Sequence, residues 1–241
     1  YARDQMNVLF NTRFSSNMKK DIRRGEVSLY EMVYKKTLGS FDNKIAIPSH
    51  ETFEGGDAYI HDNTIFIGVG PRTTLGAAIF IFNTLKRQIK ELGYKFVIVE
   101  DILKRGDMEQ MLYMHLDTFS NPVGKRQIAV CLSEAKRRRI KIVTLKSDDT
   151  IEIHDTQKSF LDYLMETQEE IIAVPDDEQY TFGCNFLSIN ENHIFVPLAT
   201  NKQTIEGLQK IGKKVTYVHL DECTKGFGAA HCMTGQLKRT N

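Results

Sequence analysis

Apolar positions along the chain follow two different periods, and this patterning predicts a mixed α/β fold. Through residues 75–92 they recur at the spacing of a helix, which the Thr73–Thr74 pair would cap and Gly93 would end. A second helical pattern covers residues 157–166 and a third covers residues 204–211. We therefore expect three amphipathic helices packed against strands.

Shorter apolar runs rich in β-branched residues predict the strands. They cover residues 44–48, 58–60, 64–69, 95–99, 127–132, 140–145, 171–174, 186–189, 193–197 and 215–218. Strand–strand–helix–strand units of about 45 to 50 residues thus recur without sequence identity, which favours packed α/β units that can close around an axis. No linker or low-complexity segment interrupts them, so residues 1–241 are predicted to form one catalytic domain.

Composition excludes several classes of partner. The chain carries 32 basic and 31 acidic residues, so neither nucleic acid nor a membrane surface is an expected partner. The basic run over residues 136–139 is more typical of a solvated turn or helix end. No apolar stretch approaches the roughly 20 residues that span a bilayer. Four scattered cysteines form neither a metal-ligand spacing nor a disulfide framework, so a reducing, cytoplasmic setting is expected.

One of these cysteines is a candidate nucleophile. Cys131 lies in an apolar run and is expected in the core, whereas Cys184, beside a glycine, fits either a core or an active role. Cys223 follows two acidic residues, which oppose thiolate formation. Cys232 follows glycines and alanines, where backbone can approach closely. It is either the nucleophile or a small buried residue.

Two acidic motifs upstream can supply proton transfer. His115 and Asp117 would share one face if they lay on a strand, where the pair could act as general acid and base or simply end the strand. Residues 54–57 place two carboxylates on either side of a diglycine. The glycines would let a ligand or a backbone segment pass closely, or the four residues simply form a tight turn. Residues 68–74 lack the Gly-Lys-Ser/Thr ending of a phosphate loop. Ligand spacings for a metal are not evident.

Taken in order, these segments resemble a known enzyme family. Residues 2–4, 54–57, 68–73, 114–118, 185–187 and 228–233 are similar to motifs of the guanidino-group modifying enzymes of the pentein superfamily, and most closely to arginine deiminases. The resemblance covers essentially the whole chain. It implies an α/β propeller of pseudo-fivefold ββαβ units. It also implies that an N-terminal portion of the family's barrel is lacking here.

The resemblance also assigns roles. Cys232 would attack the guanidinium carbon, His115 would protonate the leaving nitrogen and later activate water, and Glu54 would orient His115. Asp4 and Asp117 would hold the planar guanidinium through paired hydrogen bonds. Arg72, and either Arg23 or its neighbour Arg24, match positions where the family binds a substrate carboxylate. The resemblance also places Asp57 and His231 at substrate-binding positions.

The implied function is that of a deiminase. It would hydrolyse arginine or a related small guanidino compound to ammonia and a ureido product, with no metal or organic cofactor. Phe227 stands where the family has a carboxylate-binding arginine, and His231 before the cysteine is similar to agmatine deiminases and some amidinotransferases. The alternatives are therefore an amidinotransferase and a non-catalytic pentein-like binding module. A homo-oligomer is compatible with the sequence.

Overall fold

The structure, a computed structural model, describes residues 1–39, 43–103, 106–197 and 201–235. The strands are β1 Met6–Leu9, β2 Thr12–Ser15, β3 Lys44–Ala46, β4 Ala58–His61, β5 Thr64–Val69, β6 Lys95–Glu100, β7 Ser120–Gly124, β8 Gln127–Cys131, β9 Arg139–Leu145, β10 Ile151–Ser159, β11 Glu170–Val174, β12 Leu187–Asn190, β13 His193–Val196 and β14 Lys214–Tyr217. The helices are α1 Arg24–Leu38, α2 Leu75–Leu92, α3 Asp107–Leu112, α4 Leu116–Phe119, α5 Leu132–Arg137, α6 Phe160–Glu166, α7 Asp176–Gln179, α8 Lys202–Lys210 and α9 Asp221–Lys225.

The strands form repeated units within the described part of the chain. In each unit two neighbouring strands pair antiparallel, and a third strand, reached through a helical connection, pairs parallel with the second. Four such sets occur among the described residues: β1-β2-β3, β4-β5-β6, β7-β8-β11 and β12-β13-β14. The predicted α/β fold with ββαβ units is therefore confirmed, whereas closure into a fivefold propeller stays a prediction.

One hairpin departs from the simple repeat. β9 and β10 lie between β8 and β11 in sequence but pair with a neighbouring sheet, which then has the strand order β10-β9-β6-β5-β4. In this sheet β6 pairs with β5 on one side and with β9 on the other. The hairpin therefore joins the sheet of one unit to the chain of the next.

β5, an interior strand of this sheet, is buried on both faces. Ile65 and Ile67 pack with α2 in one apolar cluster. Phe66 faces the other cluster, where its ring lies 5.7 Å from that of Phe160. Because successive side chains point to opposite faces of a strand, this alternation packs both sides of the sheet. The residues at the end of β5 are thereby held on a rigid support.

The predicted long helix is confirmed as α2. Its N-cap is Thr74, whose hydroxyl accepts a hydrogen bond from the Ala77 amide, and it ends at Gly93 with φ of 69°. A left-handed residue at this position suits glycine, which has no Cβ to clash.

Two other elements differ from prediction. The helix expected over residues 157–166 begins only at Phe160, because Ser159 and Asp162 form a capping box that fixes its start. The chain before it continues β10. His115 and Asp117 do not lie on a strand: His115 is the N-cap of the short helix α4. The Leu116 amide at its start donates to Asp57, a tertiary contact that local alternation does not reveal.

Helix α1 is absent from the pattern-based expectations. Tyr34 is the one buried residue among the α1 side chains that the structure describes. A helix that buries so little has no clear apolar stripe, so periodicity gives little signal. Within the described residues, moreover, no helix combines the length and apolar character that crossing a bilayer requires.

We predict that Ser159→Ala lowers the free energy of unfolding by about 1 kcal/mol, because the mutation removes a capping hydroxyl. Urea unfolding followed by circular dichroism measures the change. The exposed Ser28→Ala in α1 is the control, expected within about 0.5 kcal/mol of the parent. Equal effects of the two mutations would contradict a stabilising capping box.

Candidate active site

The structure brings the predicted catalytic residues into one buried cluster. Asp4 lies just before β1, Glu54 lies before β4, and His115 and Asp117 begin α4. Cys232 lies in a turn after α9. None of these five residues is more than 3% exposed. Residues far apart in sequence thus converge in one site.

A hydrogen bond between His115 and Glu54 lies at its centre. Nε2 of His115 is 2.9 Å from Oε2 of Glu54, and Nδ1 is 3.6 Å from Oδ1 of Asp4. Burial lowers the pKa of His115, but the charge of Asp4 and the bond to Glu54 outweigh it and raise this pKa to about 10. Burial raises the pKa of Glu54, yet His115 brings it down to about 2. The pair is therefore imidazolium and carboxylate at neutral pH.

The thiol of Cys232 lies beside Asp117. Its Sγ is 3.9 Å from Oδ2 of Asp117. Burial, followed by the negative charges of Asp117 and Asp4, raises the pKa of Cys232 well above its usual value. In the ligand-free site the sulfur is thus held as a thiol. A cation bound between the two carboxylates would favour the thiolate.

Two carboxylate oxygens in this cluster have no hydrogen-bond partner among the residues that the structure describes. They are Oδ1 of Asp4 and Oδ1 of Asp117, and both are buried. The first has only the 3.6 Å contact with His115. Because an unsatisfied buried acceptor costs about 1–3 kcal/mol, the pair is suited to a ligand with several N–H donors.

His231 contacts Asp117 from the other side. Its Nδ1 is 2.6 Å from Oδ2 of Asp117. Burial raises the pKa of Asp117, but the hydrogen bond and charge of His231 lower it below its usual value. His231, expected to bind substrate, is thus placed where it keeps Asp117 ionised.

Asp57 is placed differently from a substrate ligand. Its Oδ1 accepts from the Leu116 amide at 2.9 Å and its Oδ2 accepts from the Thr73 hydroxyl at 2.6 Å. Burial raises its pKa to about 7. Because both oxygens are engaged by the protein, these contacts favour a role in positioning α4 over the predicted substrate contact.

The two arginines expected to bind a substrate carboxylate are paired with acids of the site. Nη1 of Arg23 lies 2.9 Å from Asp4 and 3.4 Å from Glu54, and its other nitrogens bind Glu26. Nη1 of Arg72 lies 3.4 Å from both oxygens of Glu54. Binding a substrate carboxylate would therefore require these arginines to share or exchange partners.

Sequence reasoning gave no role to Asn185, although this residue supports the cysteine loop. Its Oδ1 accepts from the amides of Ala229 and Cys232 at 3.0 and 3.1 Å, and its Nδ2 donates to the Asp117 carbonyl at 3.1 Å. One buried amide side chain thus joins the nucleophile to its neighbouring acid. Nothing in the local sequence signals a contact over this separation.

Arg3 is a second residue that supports the cysteine loop and to which the sequence assigned no role. Its amide donates to the Cys232 carbonyl at 3.1 Å, and its guanidinium donates to the His231 carbonyl and the Thr234 hydroxyl. Arg3 therefore attaches the start of the described chain to the cysteine loop.

Comparisons with known proteins agree with this geometry. The family model for arginine deiminase matches residues 1–239. The chain is 26% identical to the Bacillus subtilis uncharacterized protein YkgA over 99% of its length and 69% of that protein. It is 26% identical to a Listeria monocytogenes arginine deiminase over 100% of its length, but spans only 61% of that relative. The N-terminal domain of ArgZ, a cyanobacterial arginine dihydrolase solved with substrate, superposes with a TM-score of 0.72 at 20% identity, covering 99% of this chain and 75% of that one.

The fold, the cluster of cysteine, histidine and acids, and these matches define a class: a guanidino-group modifying enzyme of the pentein superfamily. Within this class, the chain belongs to the arginine deiminase family, a family of hydrolases that cleave C–N bonds of amidines.

We predict that Glu54→Gln lowers the pKa of His115 below its parent value of about 10, because one hydrogen-bonded negative charge is removed. A histidine NMR titration measures the value. The raised pKa contributes stability that is complete below about pH 6.5 and lost as the pH rises through about 10, so the mutation should also reduce stability near neutral pH.

The matched control is Glu26→Gln, which removes an acid that binds Arg23 without a contact to His115 among the described interactions. Its His115 should titrate as in the parent protein. A pKa of His115 that stays near 10 in Glu54→Gln would contradict the assigned interaction.

Proposed function

We propose that this protein hydrolyses the guanidino group of arginine or a related small guanidino compound, releasing ammonia and a ureido product. The observation that carries this proposal is the pair of unpartnered carboxylate oxygens, on Asp4 and Asp117, beside the buried thiol of Cys232.

A guanidinium fits this arrangement in shape and charge. It is a planar cation with N–H groups that pair with carboxylates, and burying it between two acids satisfies both oxygens. The same cation opposes the two negative charges that hold up the pKa of Cys232. Substrate binding would therefore generate the nucleophile where it is needed.

The proposed reaction proceeds in two stages. The bound cation offsets the charges of Asp117 and Asp4, so the Cys232 thiol loses its proton to solvent. The sulfur attacks the guanidinium carbon, and the tetrahedral adduct breaks its C–N bond as His115 protonates the leaving ammonia. His115 then takes a proton from water, whose oxygen attacks the carbon. The second adduct breaks its C–S bond, and the sulfur takes up the proton of the new hydroxyl as the ureido carbonyl forms.

The proposal does not specify which group the substrate carries beyond its guanidinium, so several related compounds are candidate substrates. The arginine deiminase relatives support arginine itself. Arg23 and Arg72 would receive its carboxylate only by leaving Glu54 in part. The half-buried Phe227, with φ of 63°, offers an apolar surface at a neighbouring position in the cysteine loop. A panel of arginine, agmatine, methylated arginines and guanidinoacetate distinguishes these substrates.

We predict that Cys232→Ala abolishes release of ammonia from every member of this panel, because the carbon–sulfur bond cannot form. Substrate binding should persist, because Asp4 and Asp117 remain. Ammonia is measured by a coupled assay and binding by calorimetry. Cys223→Ala, which changes a half-buried cysteine outside the cluster, should retain activity.

Turnover by Cys232→Ala at the parent rate would overturn this mechanism. A new guanidine product on addition of glycine, with no ureido product, would instead identify an amidinotransferase. Absence of both products across the panel would favour a binding module.

We predict that Gly56→Ala lowers kcat/KM by about 100-fold, because a displacement on the scale of 1 Å at reacting groups has this effect. An added Cβ would lie 2.9 Å from Oδ1 of Asp117 and 3.0 Å from the His115 ring, so these side chains must shift. Steady-state kinetics measure the loss. Gly25→Ala in α1, where no atom lies within 4 Å, should match the parent, and equal kinetics for both would contradict the crowding of this site.

A further inference from the structure

A second cluster of metal-ligating side chains lies away from the candidate active site. β4 begins at Ala58, directly after Asp57, and ends about 10 Å further on at His61. We propose that His61, Asp62 and Glu169 form a site for a divalent transition-metal ion such as Zn²⁺. His61 is only 5% exposed.

The donor atoms lie close enough together for one such ion, provided that Asp62 moves nearer to His61 when the ion binds. Nε2 of His61 lies 3.0 Å from Oε2 of Glu169 and 4.0 Å from Oδ2 of Asp62, and the three donors all lie within 4.8 Å of one another. Ligands bound to a tetrahedral Zn²⁺ at about 2.0–2.2 Å are about 3.3–3.6 Å apart. One imidazole and two carboxylates would leave a fourth position for water.

Asp62 and Glu169 lie in segments that hydrogen bonds from Arg126 connect to each other. Asp62 belongs to the β4–β5 turn, and Glu169 lies between α6 and β11. Arg126, in the β7–β8 turn, donates its amide to Oδ2 of Asp62 at 3.0 Å and its Nη2 to the carbonyls of Thr167 and Gln168. The positions of both carboxylates are therefore held before an ion binds, which reduces the ordering needed for binding.

A cavity beside the ligands supplies an independent indication. The cluster borders a cavity of about 620 Å³ that is also lined by Tyr163. Among the described residues, the buried Tyr163 hydroxyl has Thr64 as its neighbouring polar side chain, and that contact lowers the Tyr163 pKa against the increase from burial without completing a hydrogen bond of good geometry. Water bound to an ion in this cavity would provide the hydroxyl with a partner.

The charges around the cavity are mixed. Lys95 and Lys125 line it and oppose a cation, but both are exposed, so solvent screens them. Glu166 also lines it and is paired with Lys158 at 2.6 Å. The cation is therefore selected by the three donors and not by the net charge of the cavity.

Titration of the metal-free full chain with Co²⁺ and Zn²⁺ tests the proposal. We expect one ion per chain, visible Co²⁺ bands of nitrogen and oxygen ligation, and a higher melting temperature with Zn²⁺. His61→Gln and Asp62→Asn should each weaken binding by at least about tenfold. Glu166→Gln, on the same cavity, and Cys232→Ala should bind as the parent does.

Asp62→Asn leaves the contact between His61 and Glu169 in place, so its folding should be preserved even if His61→Gln is unstable. Circular dichroism checks both variants. Absence of a bound ion would overturn the proposal. So would binding that both variants retain, or binding that Cys232→Ala loses, since a thiolate band would then place the ion in the catalytic cluster.

Discussion

The buried pair of His115 and Glu54 is the interaction on which the site depends. Four acids, Asp4, Glu54, Asp57 and Asp117, are buried within contact of one imidazole or its neighbours, and their mutual repulsion must be offset. The imidazolium does so for Asp4 and Glu54, while His231 does so for Asp117. Removing one partner from a buried ion pair costs about 3–5 kcal/mol, so the histidine to which we assign proton transfer also holds the acids in place.

Tertiary hydrogen bonds fix the positions of these charged side chains relative to one another. Glu54 and Asp57 precede β4, which pairs with the buried strand β5, and α4 is attached to Asp57 through the Leu116 amide. The cysteine loop is attached separately, by Asn185 and by Arg3, whose contact with His231 spans 228 residues. Each reacting group therefore rests on a different part of the chain. No single segment could fold into the site by itself.

Sequence reasoning named the residues that the structure brings into the cluster, whose catalytic roles stay a prediction, but not the residues that support them. α2 could be predicted because its cap, its apolar stripe and Gly93 are all local. Cys232, His115 and the acids followed from the order of motifs and the family resemblance. The start of α4 was misread because the contact that begins it comes from Asp57. Asn185 was missed because its partners are 44 and 47 residues away. A hydrogen bond between residues far apart in sequence produces no local pattern of residue types, whereas a helix or strand does.

Arg23 gives the site a further property. Its guanidinium already lies against Asp4 and Glu54, so the protein carries in its own chain the chemical group that the proposed substrate presents. Arg23 binds Oδ2 of Asp4, whereas the proposed substrate would bind Oδ1 of Asp4 and Oδ1 of Asp117, so two guanidinium groups would lie on one acid. Their like charges repel, and only a ligand that also reaches Asp117 offsets this repulsion. A cation that cannot span both acids would therefore bind poorly, which makes the site selective for the shape of the cation as well as for its charge.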